Sequence, residues 1–132
     1  MILGIGTDLC DAARIEKSMA RQSFCDHVFA PAEQAWLATL GTHRRTESAA
    51  ANFAAKEAFL KAVGTGLGGF AMPELALLRN AHGAPYFELS GKAADWAAGH
   101  GVTAHVSLTH ERGLAAAFVV LEAADQPNGR PE

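Results

Sequence analysis

The sequence predicts a single α+β domain, and three observations carry that prediction. Residues 46–63 contain no Gly or Pro, are rich in Ala and are followed by Gly64, the pattern of one long central helix. Two pairs of short strand-like segments, 76–79 with 85–89 and 103–109 with 114–121, are each joined by a turn containing glycine. A chain of 132 residues, 49% hydrophobic and 19% charged, has material for one core.

The elements follow in order. Residues 2–7 alternate apolar side chains with glycine and run into Asp8, which reads as a buried strand delivering a carboxylate at its end. Residues 11–22 are good helix formers, with Asp11 as the N-cap and Ile15 and Met19 on one face. Arg14, Lys17 and Arg21 share the opposite stripe. A second helix starts at Pro31, a residue suited to a first turn, and reaches Leu40. After the central helix, Gly64 to Gly69 holds four glycines in six residues and must be a loop. Ser90 caps a helix over 91–98. In the strand 103–109, His105, Ser107 and Thr109 form a polar face that could hold a ligand, backed by Val106 and Leu108. Residues 1–122 are expected to form the domain and 123–132, with two prolines, a flexible tail.

Several function classes are excluded. A net charge of −3 gives no electrostatic reason to expect nucleic-acid binding. The apolar start is too short for a membrane span and lacks the basic flank of a signal peptide. Cys10 and Cys25 form neither a CxxC pair nor a zinc set, so they read as reduced thiols of a cytoplasmic protein. The glycine loop matches neither GxxxxGK[ST] nor GxGxxG opening a helix, and no GxSxG elbow accompanies His105, Ser107 and His110.

The remaining chemistry gathers around one helix. Glu57 and Lys61 are four residues apart, hence on one face, and Asp8 comes from a separate element. Two carboxylates from different elements can hold one Mg²⁺ that shares its other positions with water and substrate phosphates. Lys61 could then reach the same phosphates as a point charge. On spacing alone the ordinary alternative, a solvated ion pair, is the stronger. The stripe of Arg14, Lys17 and Arg21 is ordinarily a wet helix face, although it suits an acidic helical partner.

Three ordered motifs add a resemblance. Gly4-Ile5-Gly6-Thr7-Asp8-Leu9 followed by Arg14-Ile15, then Phe53-Ala54-Ala55-Lys56-Glu57-Ala58-Phe59-Leu60-Lys61-Ala62-Val63-Gly64-Thr65-Gly66, then Val106-Ser107-Leu108-Thr109-His110, resemble the bacterial holo-acyl-carrier-protein synthases. The second motif closely follows the family signature FxxKEAxxKAxGTG, and the three together span nearly the whole chain. The resemblance implies one domain with a mainly antiparallel sheet around the long central helix. It also implies a homotrimer whose active sites lie between subunits. The implied reaction moves 4′-phosphopantetheine from coenzyme A to a serine of an acidic acyl carrier protein, with Mg²⁺, in fatty acid biosynthesis or on a specialised synthase carrier.

By the same resemblance Asp8 and Glu57 bind Mg²⁺, Lys61 contacts phosphate, and Gly64, Thr65 and Gly66 line the cofactor. His105 and the turn Gly83-Ala84-Pro85-Tyr86 correspond to residues near the bound nucleotide, and Arg14, Arg21 and Phe24 to the carrier-docking surface. Glu57 is the candidate base for the serine proton. Two positions depart from the family pattern. Asn52 stands where an Arg is usual, so that Arg44 or Arg45 would have to replace its charge, and Thr109 keeps the hydroxyl of the more common Ser. A coenzyme A-binding trimer without catalysis is the alternative to which Asn52 points.

Overall fold

The computed structural model describes residues 1–64 and 69–125. In chain order these form β1 (Ile2–Asp11), α1 (Ala12–Met19), α2 (Gln22–Val28), α3 (Pro31–Ala38), α4 (Thr42–Val63), a 3₁₀ turn (Met72–Glu74), β2 (Leu75–Arg79), β3 (Pro85–Leu89), α5 (Gly91–His100), β4 (Val102–Glu111) and β5 (Leu114–Ala123). Every strand pairing among the described residues is antiparallel. The pairing is divided between two sheets where the resemblance implies one, a three-stranded sheet of order β1-β5-β4 and a β2-β3 hairpin.

The central helix α4 is the centre of the core. Ala49, Ala50, Ala54, Ala55, Ala58 and Phe59 have no exposed surface, and the small side chains let the helix backbone lie close to the sheet. Gly4 and Gly6 complete that approach from β1. A Cβ at Gly4 would overlap the Ala62 carbonyl oxygen, and one at Gly6 the Ala58 carbonyl oxygen. The alternation of glycine in the first strand is therefore a packing requirement, and it sets the distance between β1 and the functional face of α4. Phe59 continues the core toward Phe87 at 5.0 Å and Trp96 at 6.5 Å between ring centres.

Several boundaries differ from those expected. β1 runs past residue 7 to Asp11 because Asp8 to Asp11 still pair with Ala117 to Leu114 of β5, so Asp8 lies inside an edge strand and not at its end. The helix expected over 11–22 ends early, and a second helix that the sequence reading did not expect, α2, follows it. Asp11 does cap α1, accepting from the Ala13 N–H at 2.8 Å, but α1 stops at Met19 and Arg21 is extended at the N-cap of α2. The turn lets Cys25 and Val28 enter the core and sets Phe24 against Phe29 and Phe53, a gain that helix propensity does not register. α4 begins four residues earlier than expected, with the Thr46 hydroxyl bonded to the Thr42 carbonyl at 3.0 Å. Ser90 sits at the N-cap of α5 without a side-chain bond; the Glu74 carboxylate accepts from Ala93 N–H instead, at 2.9 Å.

The β4-β5 hairpin closes over Arg112 and Gly113, both with positive φ, as a two-residue hairpin turn matching strand twist requires. β5 reaches Ala123, which is buried and whose N–H donates to the Met1 carbonyl, so the last strand extends one residue into the expected tail. The remainder of that tail from residue 126, and Thr65 and Gly66 of the glycine loop, lie outside the described residues.

Candidate active site

Asp8 projects from the α4 side of β1, the face on which Gly6 and Cys10 are buried. Close packing through the two glycines brings Lys61 to it: the ammonium donates to the Asp8 carboxylate at 3.1 Å and to the Thr7 carbonyl at 3.1 Å. Glu57 is one turn before Lys61 and half-buried. Cys10 reports on this neighbourhood. Its thiol is pushed up to about 11, first by burial and then by Asp8, Asp11 and Glu57 against the opposing pull of Arg14, so both candidate carboxylates are felt at one point. The thiol is thus inert at neutral pH.

No cluster of three or more His, Cys, Asp or Glu with metal-holding geometry occurs among the described residues. Two carboxylates with open solvent access are nonetheless the donor set that Mg²⁺ uses when substrate phosphates and water supply its other oxygens. Asp8 and Glu57 suit that role. Both are oxygen donors from separate elements, and neither is buried in an all-protein cage.

The other expected ligand residues lie elsewhere on the chain. A cavity of about 800 Å³ opens beside the free edge of β4, bounded by Trp36, Arg44, Arg79, Gly83, Pro85 and Ser107 among others. Asp8, Glu57 and Lys61 take no part in its lining. Pro85 is therefore placed on this cavity, whereas His105 points from the outer face of β4 and pairs with Glu122 at 2.9 Å. Gly64 ends α4 with φ of 97°, a conformation suited to glycine. One chain thus holds Pro85 and His105 each apart from Asp8, Glu57 and Lys61.

On that outer sheet face Ile5 is 58% exposed, Leu9 63% and Phe118 45%. The register aligns Ile5 with Val120 and His105, and Thr7 with Phe118 and Ser107, so an apolar band on β1 and β5 grades into the polar face of β4.

Arg14 and Arg21 are exposed, but α1 ends before Arg21, so the two do not share one continuous helix stripe as expected. Phe24 is half-buried, 6.3 Å from the rings of Phe29 and Phe53. Of the two arginines offered as replacements at Asn52, Arg45 is consumed by the Leu37 and Leu40 carbonyls, while Arg44 lines the cavity.

Asn52 is fully buried in a network that sequence reading missed. Its amide donates to Glu33 at 3.0 Å and to the Leu77 carbonyl at 3.2 Å, and its carbonyl oxygen accepts from Arg79 at 2.9 Å. Lys56 forms an ion pair with Glu33 and donates to the Met72 carbonyl at 2.9 Å. The one signal in the sequence was Lys56 itself, a cation in the middle of an alanine-rich helix face.

The comparisons with known proteins identify the chain in two stages. The family model for the 4′-phosphopantetheinyl transferase superfamily matches residues 4–119, and the chain belongs to that superfamily. Within it, the chain is 45% identical to the holo-[acyl-carrier-protein] synthase of Clavibacter sepedonicus over 92% of its own length and 97% of the relative's, and 45% identical to that of Methylobacterium sp. (strain 4-46) over 93% and 96%. It superposes on the crystal structure of the synthase from Neisseria meningitidis with a TM-score of 0.82, at 33% identity and covering 92% and 99% of the two chains. A synthase from Bacillus anthracis str. Ames solved in complex with CoA (3′,5′-ADP) gives a TM-score of 0.79 at 34% identity over 94% and 99%. The chain is accordingly a 4′-phosphopantetheinyl transferase enzyme of the holo-[acyl-carrier-protein] synthase type.

Proposed function

We propose that this chain transfers 4′-phosphopantetheine from coenzyme A to a serine of an apo acyl carrier protein in a Mg²⁺-dependent reaction that releases adenosine 3′,5′-bisphosphate. The observation that carries this reading is the meeting of Asp8 on β1 with Lys61 on α4, one turn from Glu57, at a solvent-open edge. Superfamily membership and the coenzyme A complex of the Bacillus anthracis relative support the substrate.

The carrier serine oxygen forms a bond to the β-phosphorus while the bond from that phosphorus to the bridging pyrophosphate oxygen breaks, its electron pair leaving with the adenosine bisphosphate. Asp8 and Glu57 would hold Mg²⁺, which when bound neutralises charge on the pyrophosphate. Lys61, already turned toward Asp8, offsets charge growing on the departing phosphate. Glu57 accepts the serine proton at its carboxylate. Arg14 on α1 and Arg21 at the N-cap of α2, both exposed, and the partly open Phe24 ring receive an acidic helix of the carrier. Gly64, which ends α4, lines the coenzyme A in this reading, while Thr65 and Gly66 lie outside the described residues.

The active unit of this reading is a homotrimer. Two features support it: the apolar outer face of β1 and β5, and the separation within one chain between the carboxylate group and the cavity at Pro85. Covering that face with a second copy brings the cavity and His105 of one subunit toward Asp8, Glu57 and Lys61 of the next. The setting proposed is the cytoplasm and the supply of carriers for fatty acid biosynthesis; Cys10 and Cys25 both remain thiols in the fold.

Intact mass of an apo acyl carrier protein after incubation with this protein, coenzyme A and Mg²⁺ tests the reading. A gain of about 340 Da that a chelator abolishes is expected for this group transfer. No gain across a panel of apo carriers, from folded protein that binds coenzyme A, would contradict it.

A further inference from the structure

The buried Lys56–Glu33 pair is linked to Phe24 through one intervening ring, and it grips the support of α2 in three places. The Glu33 carboxylate accepts from the Ala30 N–H at 2.9 Å, which fixes the backbone just after α2. The Lys56 ammonium stands 5.9 Å from the centre of the Phe29 ring, at the C-cap of α2. It also donates to the Met72 carbonyl at 2.9 Å, in the 3₁₀ turn that packs against α2. Phe29 is 1% exposed, and its ring meets that of Phe24 edge-on at 6.3 Å. Phe53, one turn before Lys56 on α4, lies against Phe24 at 6.3 Å as well.

α2 needs such support. It has seven residues and no side-chain bond at its N-cap Arg21, and a helix of that length does not hold itself in water. Where Phe24 points is therefore decided by what α2 rests on. A buried ion pair is not the most stable support available, because apolar side chains of similar volume often serve a core as well or better. What the pair adds is direction, since a satisfied polar network has one arrangement where apolar contacts have several. Asn52 donates to the second oxygen of Glu33 at 3.0 Å and is itself held by Arg79, whose Cζ lies 4.7 Å from the Trp36 ring centre.

We propose that Lys56 and Glu33 are positioning residues for the carrier protein: by locking the junction of α2 and α3 and the 3₁₀ turn, they hold Phe24, beside Arg21, in the pose that receives the carrier helix. This inference rests on the docking reading above. Lys56 directly precedes Glu57, so adjacent residues of α4 serve the docking surface and the candidate metal site.

Steady-state kinetics of the full-length protein with an apo acyl carrier protein, beside calorimetric affinity for coenzyme A alone, test this. Lys56→Met with Glu33→Gln removes both charges together, so that neither is stranded, and nearly keeps the volume. The variant is expected to fold and to raise the carrier KM about fivefold, with kcat and coenzyme A affinity unchanged. Phe24→Ala should raise the carrier KM by a similar factor in the wild-type background and add little in Lys56→Met/Glu33→Gln, because both changes remove the same pose. Phe29→Leu, which removes the intervening ring but neither charge, runs the same cycle if the first variant does not fold. An unchanged carrier KM in the folded variant, or losses that multiply in full with those of Phe24→Ala, would overturn the proposal. Equal losses in kcat, coenzyme A affinity and carrier KM would overturn it too, since a loosened core has no preference among them. Phe24→Ala that leaves the carrier KM untouched in the wild-type background would sink the docking reading itself, and this inference with it.

Discussion

Two lysines five residues apart on α4 each meet a carboxylate from another element, and their surroundings could hardly differ more. Lys56 and Glu33 have fully buried side chains, whereas Lys61 and Asp8 retain 56% and 20% of their exposure. Around the buried pair the carboxylate has three donors. Lys56 also reaches the Met72 carbonyl, and Glu33 accepts from the Ala30 N–H and from Asn52. Burial pushes the Lys56 ammonium below its usual range while Glu33 pulls it back, with burial the larger influence. Around the exposed pair Lys61 also has one carbonyl, that of Thr7, besides its carboxylate, but among the described residues the Asp8 carboxylate accepts from Lys61 alone. The same two charges, on the same helix, thus hold a fold in one place and leave room for a ligand in the other. Burial makes the difference.

That distinction can be broken by stability measurements. Lys56→Ala should cost about 3–5 kcal/mol in urea unfolding, because it strands a buried carboxylate. Lys61→Ala should cost less than about 1 kcal/mol, as expected of an exposed pair. Equal losses would erase the contrast. Gly6→Ala comes next, at about 1–3 kcal/mol, because the added methyl meets the Ala58 carbonyl. It should lower Tm and transfer together, since it forces α4, and with it Glu57 and Lys61, away from Asp8. The smallest effect is expected at the docking surface. Arg14→Glu with Arg21→Glu should raise the carrier KM about fivefold and weaken its salt dependence, leaving coenzyme A affinity unchanged. Unaltered carrier kinetics would remove α1 and the start of α2 from that surface.

What the sequence made legible divides along similar lines. The long α4 and the hairpin pairs rest on local patterns, namely alanine without breakers and turn glycines, whereas Asp8, Glu57 and Lys61 were singled out as a site by the family resemblance, spacing alone favouring a solvated pair. Gly4 and Gly6 were legible as a motif but not as a cause, because only the packed structure shows the α4 carbonyls they must admit. The break between α1 and α2 was hidden, because it depends on the burial of Cys25 and Val28 and not on any Gly or Pro. Arg79 was hidden as well. In the chain it is merely the end of a short strand, and its neighbours Trp36 and Asn52 come from two helices far away in sequence.

The most direct test of the account is intact-mass analysis of an apo carrier with Glu57→Ala beside the wild-type protein, at matched Tm and oligomeric state. The variant is predicted to be folded and to give no mass gain where the wild-type protein gives a chelator-sensitive one, a loss of at least about a hundredfold in rate. Near wild-type transfer by Glu57→Ala would contradict the assignment of the exposed carboxylates to catalysis.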